Sequence, residues 1–142
     1  MATQISYDDV EVGTELPGQS LPIRRGDLVR YAGASGDFNV IHWNERVARS
    51  VGLPDVIAHG MLTMALAARA VTDWVGDPGA VLEYGTRFTR PVPVPDDETG
   101  TLVEVAAAVA EKLDDRKVRV DLTVTSAGHR VLGRAQAVVQ LA

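Results

Sequence analysis

The stretch "AHGMLTMALAARAVTDW", residues 58–74, decides the fold because it predicts a helix that other elements must cover. It is rich in alanine, leucine and methionine, which favour the helical conformation. Its apolar residues fall on nearly every face instead of along one stripe, and this pattern is typical of a helix that is buried. The rest of the chain must therefore supply a layer that surrounds this helix.

The C-terminal part of the chain supplies strands. In "KVRVDLTVT", residues 117–125, valines and leucine alternate with polar residues, which is the period-2 pattern of a half-buried strand. Residues 103–109 show the same alternation. Between these two runs, Asp114 and Asp115 lie where a hairpin turn is needed, and aspartate is common in such turns. The two runs are therefore predicted to pair as a hairpin.

Two further runs extend the predicted sheet. Residues 131–139 alternate again, and "VLEYGTRFTRP", residues 81–91, reads as an earlier strand. The segment that follows, residues 91–100, holds three prolines and is excluded from a central strand, because proline cannot donate a hydrogen bond to the ladder. An antiparallel meander wrapped around one helix is an α+β arrangement of layers.

A short polar segment links two short helices ahead of the central one. The first helix is predicted over residues 26–34 and ends at Gly36, and the second has Asn44 as its N-cap and Gly52 as its stop. The segment "ASGDFNVIHW", residues 34–43, connects them. It holds an aspartate and a histidine five residues apart, and this spacing alone is weak evidence for a site.

Composition limits the classes of function. The 142 residues are predicted to form a single domain, residues 1–142, with 46% hydrophobic and 23% charged residues, as in ordinary folded proteins. The chain has no cysteine, which excludes disulfides, thiolate nucleophiles and cysteine-based metal sites. A net charge of −5 provides no global basic field, so neither nucleic acid nor an anionic membrane is expected as a partner.

Neither a targeting segment nor a membrane span is expected. The start "MATQISYDDVEVG" has no basic segment followed by an apolar run, so no secretory signal is predicted. The longest apolar window, residues 58–75, contains His59, Arg69 and Asp73 and is too short and too interrupted to span a bilayer. A cytoplasmic protein is therefore the expectation.

Two motifs together resemble a known family. The pattern Y-A-x-x-S-G-D-x-N-x-I-H at residues 31–42 is similar to the signature of the MaoC-like, (R)-specific enoyl-thioester hydratases of the hotdog-fold superfamily. "AHGML", residues 58–62, resembles the second motif of that family. The likeness covers nearly the whole chain. It is closest to the catalytic β-type subunit of the actinobacterial (3R)-hydroxyacyl-carrier-protein dehydratases.

The chain departs from the family pattern at two places. Val40 stands where the family usually has proline, which changes backbone stiffness without removing a reactive group. Some single-chain hydratases carry a polar residue about two turns into the central helix, where this chain has Ala68 or its neighbour. The second departure leaves room for a partner chain to contribute to the site.

The resemblance implies a fold and a reaction. The fold is the α+β hotdog, in which a curved antiparallel sheet wraps around a long central helix and short helices carry the active-site loop. The implied activity is that of a hydro-lyase. It is a (3R)-hydroxyacyl-thioester dehydratase, or in reverse an (R)-specific 2-enoyl-thioester hydratase, acting on fatty acyl-ACP or acyl-CoA in fatty acid elongation or turnover. Neither a metal nor a cofactor is implied.

The resemblance also assigns residues, and the chemistry explains their types. Removing water from a 3-hydroxyacyl thioester takes a proton from C2 and delivers one to the departing C3 hydroxyl. His42 is the predicted base, because histidine titrates near neutrality, and Asp37 is predicted to hold the hydroxyl or the attacking water. The backbone amide of Gly60 is predicted to bind the thioester oxygen, helped by the helix dipole. Asn39 is predicted to order the loop or to touch the substrate, and His59 to contact the substrate, support the site or cap the helix.

The partner predictions follow from the same family. Hotdog domains usually join edge to edge, so either a homodimer or a heterodimer with a second hotdog subunit is expected. Docking of an acidic acyl carrier protein needs a basic patch, which four arginines could supply, although solvated strand edges explain them equally well. These arginines are Arg87, Arg90, Arg130 and Arg134.

Two other functions remain open at this stage. A hotdog thioesterase usually has an acidic residue on the central helix to activate water, and here the helix offers only Arg69 and Asp73 near its end. A non-catalytic acyl-binding subunit should lack Asp37 or His42, yet both are present. A hydratase or dehydratase is therefore favoured over both.

Overall fold

The computed structural model describes residues 5–142, which form three α-helices and six β-strands. Residues 1–4 lie outside the described part, and the prediction that the first residues form no secretory signal falls partly on them. The helices are α1 (Arg25–Ser35), α2 (Glu45–Ser50) and α3 (Gly60–Val75). The strands are β1 (Gln19–Ile23), β2 (Val81–Phe88), β3 (Thr101–Leu113), β4 (Lys117–Ser126), β5 (His129–Arg130) and β6 (Leu132–Gln140).

The strands form one antiparallel sheet in the order β1-β3-β4-β6-β2, with the short β5 paired to β4. The predicted meander is confirmed for β3, β4 and β6, which are neighbours in the sheet. The predicted hairpin turn is also present, with Asp115 and Arg116 at a φ of 57° between β3 and β4. Strand β2 pairs with β6 and lies at one edge, while β1, which the sequence analysis did not predict, lies at the other.

Helix α3 packs against β2, β3 and β4, and this confirms the predicted α+β hotdog arrangement. Its covered side is formed by Thr63, Ala67, Ala70, Val71 and Val75. The hydroxyl of Tyr84 on β2 donates a hydrogen bond to the carbonyl of Met64 at 2.7 Å and so ties the edge strand to the helix. Burial raises the pKa of Tyr84 to about 12.

The prediction that α3 is buried on nearly every side was wrong for one face. The exposed residues Met61, Ala65, Arg69 and Asp73 recur every fourth position and form a stripe. A single sheet covers the helix from one side, and this stripe lies on the other. None of the helices within residues 5–142 has both the length and the apolarity that a membrane crossing needs.

The proline-rich linker holds the segment that leads into α3. As predicted, it contributes no central strand. It instead buries Val92 and Val94 in the core and pairs with the segment just before α3. The amide of Ala58 donates to the carbonyl of Val92 at 2.9 Å, and the amide of Val94 donates to the carbonyl of Val56 at 2.8 Å. The start of α3 is thereby fixed against the rest of the fold.

Candidate active site

The segment between α1 and α2 is held by short local hydrogen bonds. Gly36 ends α1 in the left-handed conformation, with a φ of 77°, and turns the chain out of the helix. The amide of Asp37 then donates to Ser35 Oγ, and Asp37 Oδ1 accepts from the amide of Asn39, both at 3.1 Å. Asn39 Oδ1 in turn accepts from the amide of Ile41 at 3.4 Å. Asp37 is thereby presented with its side chain 51% exposed.

His42 is held in one orientation from behind. It closes a 3₁₀ turn over Val40–His42, and its side chain is only 9% exposed. Its Nδ1 lies 2.7 Å from the carbonyl oxygen of Ile57. Because a carbonyl can only accept, Nδ1 carries the proton, and in the neutral ring Nε2 is left free to take one. His42 Nε2 lies 3.9 Å from Asp37 Oδ2.

A cavity of about 360 Å³ opens beside this pair, lined by Asp37, His42, Gly60 and Thr63. The structure therefore brings the two predicted proton-transfer residues and the predicted oxyanion donor to one volume. Asn39 and His59 are not among the lining residues. Apolar side chains form much of the remaining wall, contributed by Ile57, Ala58, Met61, Phe88, Pro91, Val92, Val131 and Leu132.

The first amides of α3 are available to a ligand. The carbonyl of His59 accepts from the amides of Leu62 and Thr63, whereas no acceptor within residues 5–142 pairs with the amides of Gly60 and Met61. Unpaired amides at a helix start carry partial positive charge, which favours a negatively charged oxygen. A Cβ atom at Gly60 would lie 3.0 Å from Phe88 Cδ1, so glycine at this position lets the ring of Phe88 pack close to the start of α3.

His59 lies behind the pair and outside the cavity. Its ring stacks on that of His42 with a centroid distance of 3.8 Å and an interplanar angle of 24°. Its Nε2 lies 3.1 Å from the backbone carbonyl of Asp37. Burial, as the main cause, lowers the pKa of His59. His59 is the N-cap residue of α3, but its side chain makes no capping hydrogen bond.

Asn39 takes the first of its two predicted roles in the structure. Its side chain caps the 3₁₀ turn through the amide of Ile41, and it therefore orders the loop that ends at His42.

Thr63 is a residue of the cavity that the sequence analysis missed. It lies one helical turn after Gly60 and is 2% exposed, and its hydroxyl has no hydrogen-bond partner in the described part of the chain. A polar residue three positions from Gly60 faces the same side of a helix, and this spacing was the available signal. Thr63 therefore lines the cavity, whereas Ala68 does not.

A metal site was not expected, and the one cluster of possible ligands within residues 5–142 is poorly arranged for it. Ligand atoms of Asp37, His42 and His59 lie within 4.8 Å of one another. The two imidazole rings are stacked, however, so their lone pairs lie in nearly parallel planes and do not converge on one point. His42 Nδ1 and His59 Nε2 each face a backbone carbonyl, which leaves one nitrogen of each ring for an ion.

The acidic residue near the end of α3 is used elsewhere. Asp73 Oδ2 accepts a hydrogen bond from Gln19 Nε2 on β1 at 2.8 Å, and neither Asp73 nor Arg69 lines the cavity. The arrangement that a thioesterase would need on this helix is therefore not formed by these two residues.

Comparison with known proteins assigns the family. Residues 9–127 match the family model described as MaoC like domain. The chain belongs to this family. A 3-hydroxybutyryl-CoA dehydratase of Methylorubrum extorquens is 33% identical to this MaoC-like chain over 138 residues, which is 95% of the chain and 83% of that protein.

Two solved structures are similar as well. A MaoC-like dehydratase superposes with a TM-score of 0.94 at 43% identity, covering 98% of this chain. The chain corresponds to only 43% of that protein's length. An R-hydratase from Pseudomonas aeruginosa superposes with a TM-score of 0.82 at 33% identity, covering 97% of this chain and 86% of that protein.

Proposed function

We propose that this MaoC-like chain is a hydro-lyase that interconverts (3R)-hydroxyacyl thioesters and 2-enoyl thioesters of fatty acyl-CoA or acyl-ACP. One observation carries the proposal. Asp37 and His42, with 3.9 Å between Oδ2 and Nε2, lie on one wall of the cavity together with the start of α3. The names of the relatives, a 3-hydroxybutyryl-CoA dehydratase and an R-hydratase, support this choice of reaction.

In the proposed dehydration, His42 Nε2 takes the proton from C2, and Asp37, which holds the C3 hydroxyl, relays that proton to it, so that the hydroxyl leaves as water. The C2–H and C3–O bonds break and the C2–C3 double bond forms. Both residues end in their starting states, because the proton taken from C2 leaves with the water. Hydration runs through the same steps in reverse, so a water held by Asp37 adds its oxygen to C3.

The thioester oxygen gains negative charge as the proton leaves C2. We assign this oxygen to the unpaired amides at the start of α3, with Gly60 as the principal donor. Each well-placed donor of this kind contributes about 3 kcal/mol to stabilising the transition state. The apolar walls of the cavity suit the acyl chain next to the reacting carbons.

The first experiment measures hydration of crotonyl-CoA and of a long-chain 2-enoyl-CoA by the loss of absorbance of the conjugated thioester. We expect hydration, with the (3R)-hydroxyacyl product identified by chiral chromatography. Free thiol is followed in parallel with a thiol reagent, and the chain has no cysteine to add background. Thiol release without hydration would indicate a thioesterase instead, and binding without either reaction would indicate an acyl-binding subunit.

We also propose that the chain is a single hotdog domain that pairs with a second hotdog subunit, either another copy or a different chain. Several large apolar residues that line the cavity or adjoin its lining residues are exposed, and β2 is an edge strand. Light scattering that gives twice the 15.2 kDa mass would identify the partner as another copy. A fully active monomer would contradict the need for a partner. The exposed side chains are Phe38, Trp43, Met61 and Phe88.

Arg90 is proposed to contact the phosphate groups of the acyl carrier. It lines the cavity, and no carboxylate within residues 5–142 forms an ion pair with it. We expect Arg90→Ala to raise KM for crotonyl-CoA by about two- to fivefold, since exposed charge pairs contribute little, and to leave kcat nearly unchanged. Steady-state kinetics measures this, with Arg46→Ala, an exposed arginine outside the cavity, as the control. An equal KM in both variants would contradict the proposed contact between Arg90 and the phosphate groups.

A further inference from the structure

His59 contacts both members of the proposed catalytic pair without reaching the cavity. Its ring lies 3.8 Å, centroid to centroid, from the ring of His42, and its Nε2 lies 3.1 Å from the backbone oxygen of Asp37. His59 is 1% exposed, and the ring of Tyr31 packs against the ring of His59 in an edge-on arrangement, at a centroid distance of 4.7 Å. The side chain therefore connects the loop, the base and the helix start.

The contact with Asp37 fixes a residue that is otherwise held only locally. The hydrogen bonds of Asp37 to Ser35 and Asn39 each reach only two positions along the chain, so they do not tie Asp37 to a distant part of the fold. Because the oxygen of Asp37 is a carbonyl and can only accept, His59 Nε2 carries the proton and donates it. This hydrogen bond spans 22 positions of sequence and ties the loop to the start of α3.

The stacked ring fixes the other member of the pair. His42 is held at Nδ1 by the carbonyl of Ile57, and the flat face of His59 restricts how its ring can tilt. The proton of His59 is already engaged at Nε2, and burial lowers its pKa, so the ring stays neutral next to His42. A neutral neighbour adds no second positive charge when His42 takes up a proton.

We infer that His59 is a positioning residue, which sets the distance between the carboxylate of Asp37 and Nε2 of His42 by holding the loop and the ring at once. The inference rests on the proposed function, because the alignment matters only if these two groups transfer protons. Small errors in such an alignment lower a rate strongly, even when the binding of substrate is unchanged.

Two substitutions separate the two contacts. His59→Phe keeps a flat ring and removes the hydrogen bond to Asp37, whereas His59→Gln keeps an N–H donor of similar reach and removes the ring. For hydration of crotonyl-CoA, we expect His59→Phe to lower kcat by about ten- to hundredfold with KM within about twofold. His59→Gln should retain more of kcat than His59→Phe, and it carries the test if the phenylalanine variant does not fold.

A double-mutant cycle distinguishes positioning from general destabilisation. In an Asp37→Asn background the alignment no longer matters, so adding His59→Phe should change kcat by less than about twofold. The same ten- to hundredfold loss in both backgrounds would overturn the inference, and so would an effect on KM alone. Thermal melts of all four proteins check that the comparison is made on folded chains.

An activity-independent readout separates this inference from the proposed function. Hydrogen exchange of the Asn39 amide, which donates to Asp37 Oδ1, reports how firmly the loop is held. We expect faster exchange in His59→Phe than in the unmodified chain. Unchanged exchange would overturn the inference. An unmodified chain that hydrates no enoyl thioester would refute the proposed function, while the exchange rates would still decide whether His59 holds the loop.

Discussion

Replacing His42 with alanine is expected to lower kcat for hydration of crotonyl-CoA by about 10²–10⁴-fold, the range that a positioned general acid or base contributes. The physical reason is that His42 supplies the free ring nitrogen on the cavity wall, with Nδ1 occupied by the carbonyl of Ile57. Asp37→Asn keeps the size of the side chain and removes its ability to exchange protons, so a loss in the same range is expected. The loss of absorbance of the conjugated thioester measures the hydration activity of both variants.

The controls exclude loss of structure and the mere removal of a histidine as explanations. His129 is exposed on β5 and does not line the cavity, so His129→Ala should keep the activity of the unmodified chain. His42→Ala leaves the partly buried carbonyl of Ile57 without its partner. An unpaired polar group costs about 1–3 kcal/mol when it is fully buried, so urea denaturation must confirm folding. Full activity in folded His42→Ala and Asp37→Asn would show that other residues carry the reaction.

Local signals predicted the helices and most strands correctly. The alanine-, leucine- and methionine-rich composition of α3 and the alternation in β3, β4 and β6 are properties of neighbouring residues, and the glycine that ends α1 acts through its own left-handed conformation. Strand β1 escaped prediction because it is five residues long, contains Pro22 and buries only Leu21 and Ile23. Its pairing with β3 comes from the tertiary fold and leaves little trace in its own sequence.

The candidate site was predictable as a list of residues but not as a geometry. The family motifs supplied Asp37, His42 and Gly60, whereas their spacing alone carried little weight. These residues are aligned by contacts between distant positions. Examples are the hydrogen bond between His42 Nδ1 and the carbonyl of Ile57, and the packing of the Phe88 ring next to Gly60. The position of His59 behind the pair depends on the same tertiary contacts, so no pattern within the motif distinguished a positioning role from a substrate contact.

Gly60→Pro is expected to lower kcat by about 10²–10³-fold, because it deletes the backbone N–H that we assign as the principal donor to the thioester oxygen. The substitution suits the fold. Gly60 is the first residue of α3, where proline is favoured, and its amide has no acceptor within residues 5–142 that would be lost. The residue before it, His59, already has the extended conformation that a following proline requires, with φ −59° and ψ 130°.

Gly60→Ala is the matched control for this prediction, since both substitutions add a Cβ atom and only proline removes the amide hydrogen. The added Cβ would lie 3.0 Å from Phe88 Cδ1, and the Phe88 side chain is 55% exposed and can shift aside. We therefore expect Gly60→Ala to retain most of kcat while folded Gly60→Pro loses it, as measured by the same hydration assay and by thermal melts. Equal losses in the two variants would assign the effect to crowding by Cβ and leave the thioester oxygen without Gly60 as its donor.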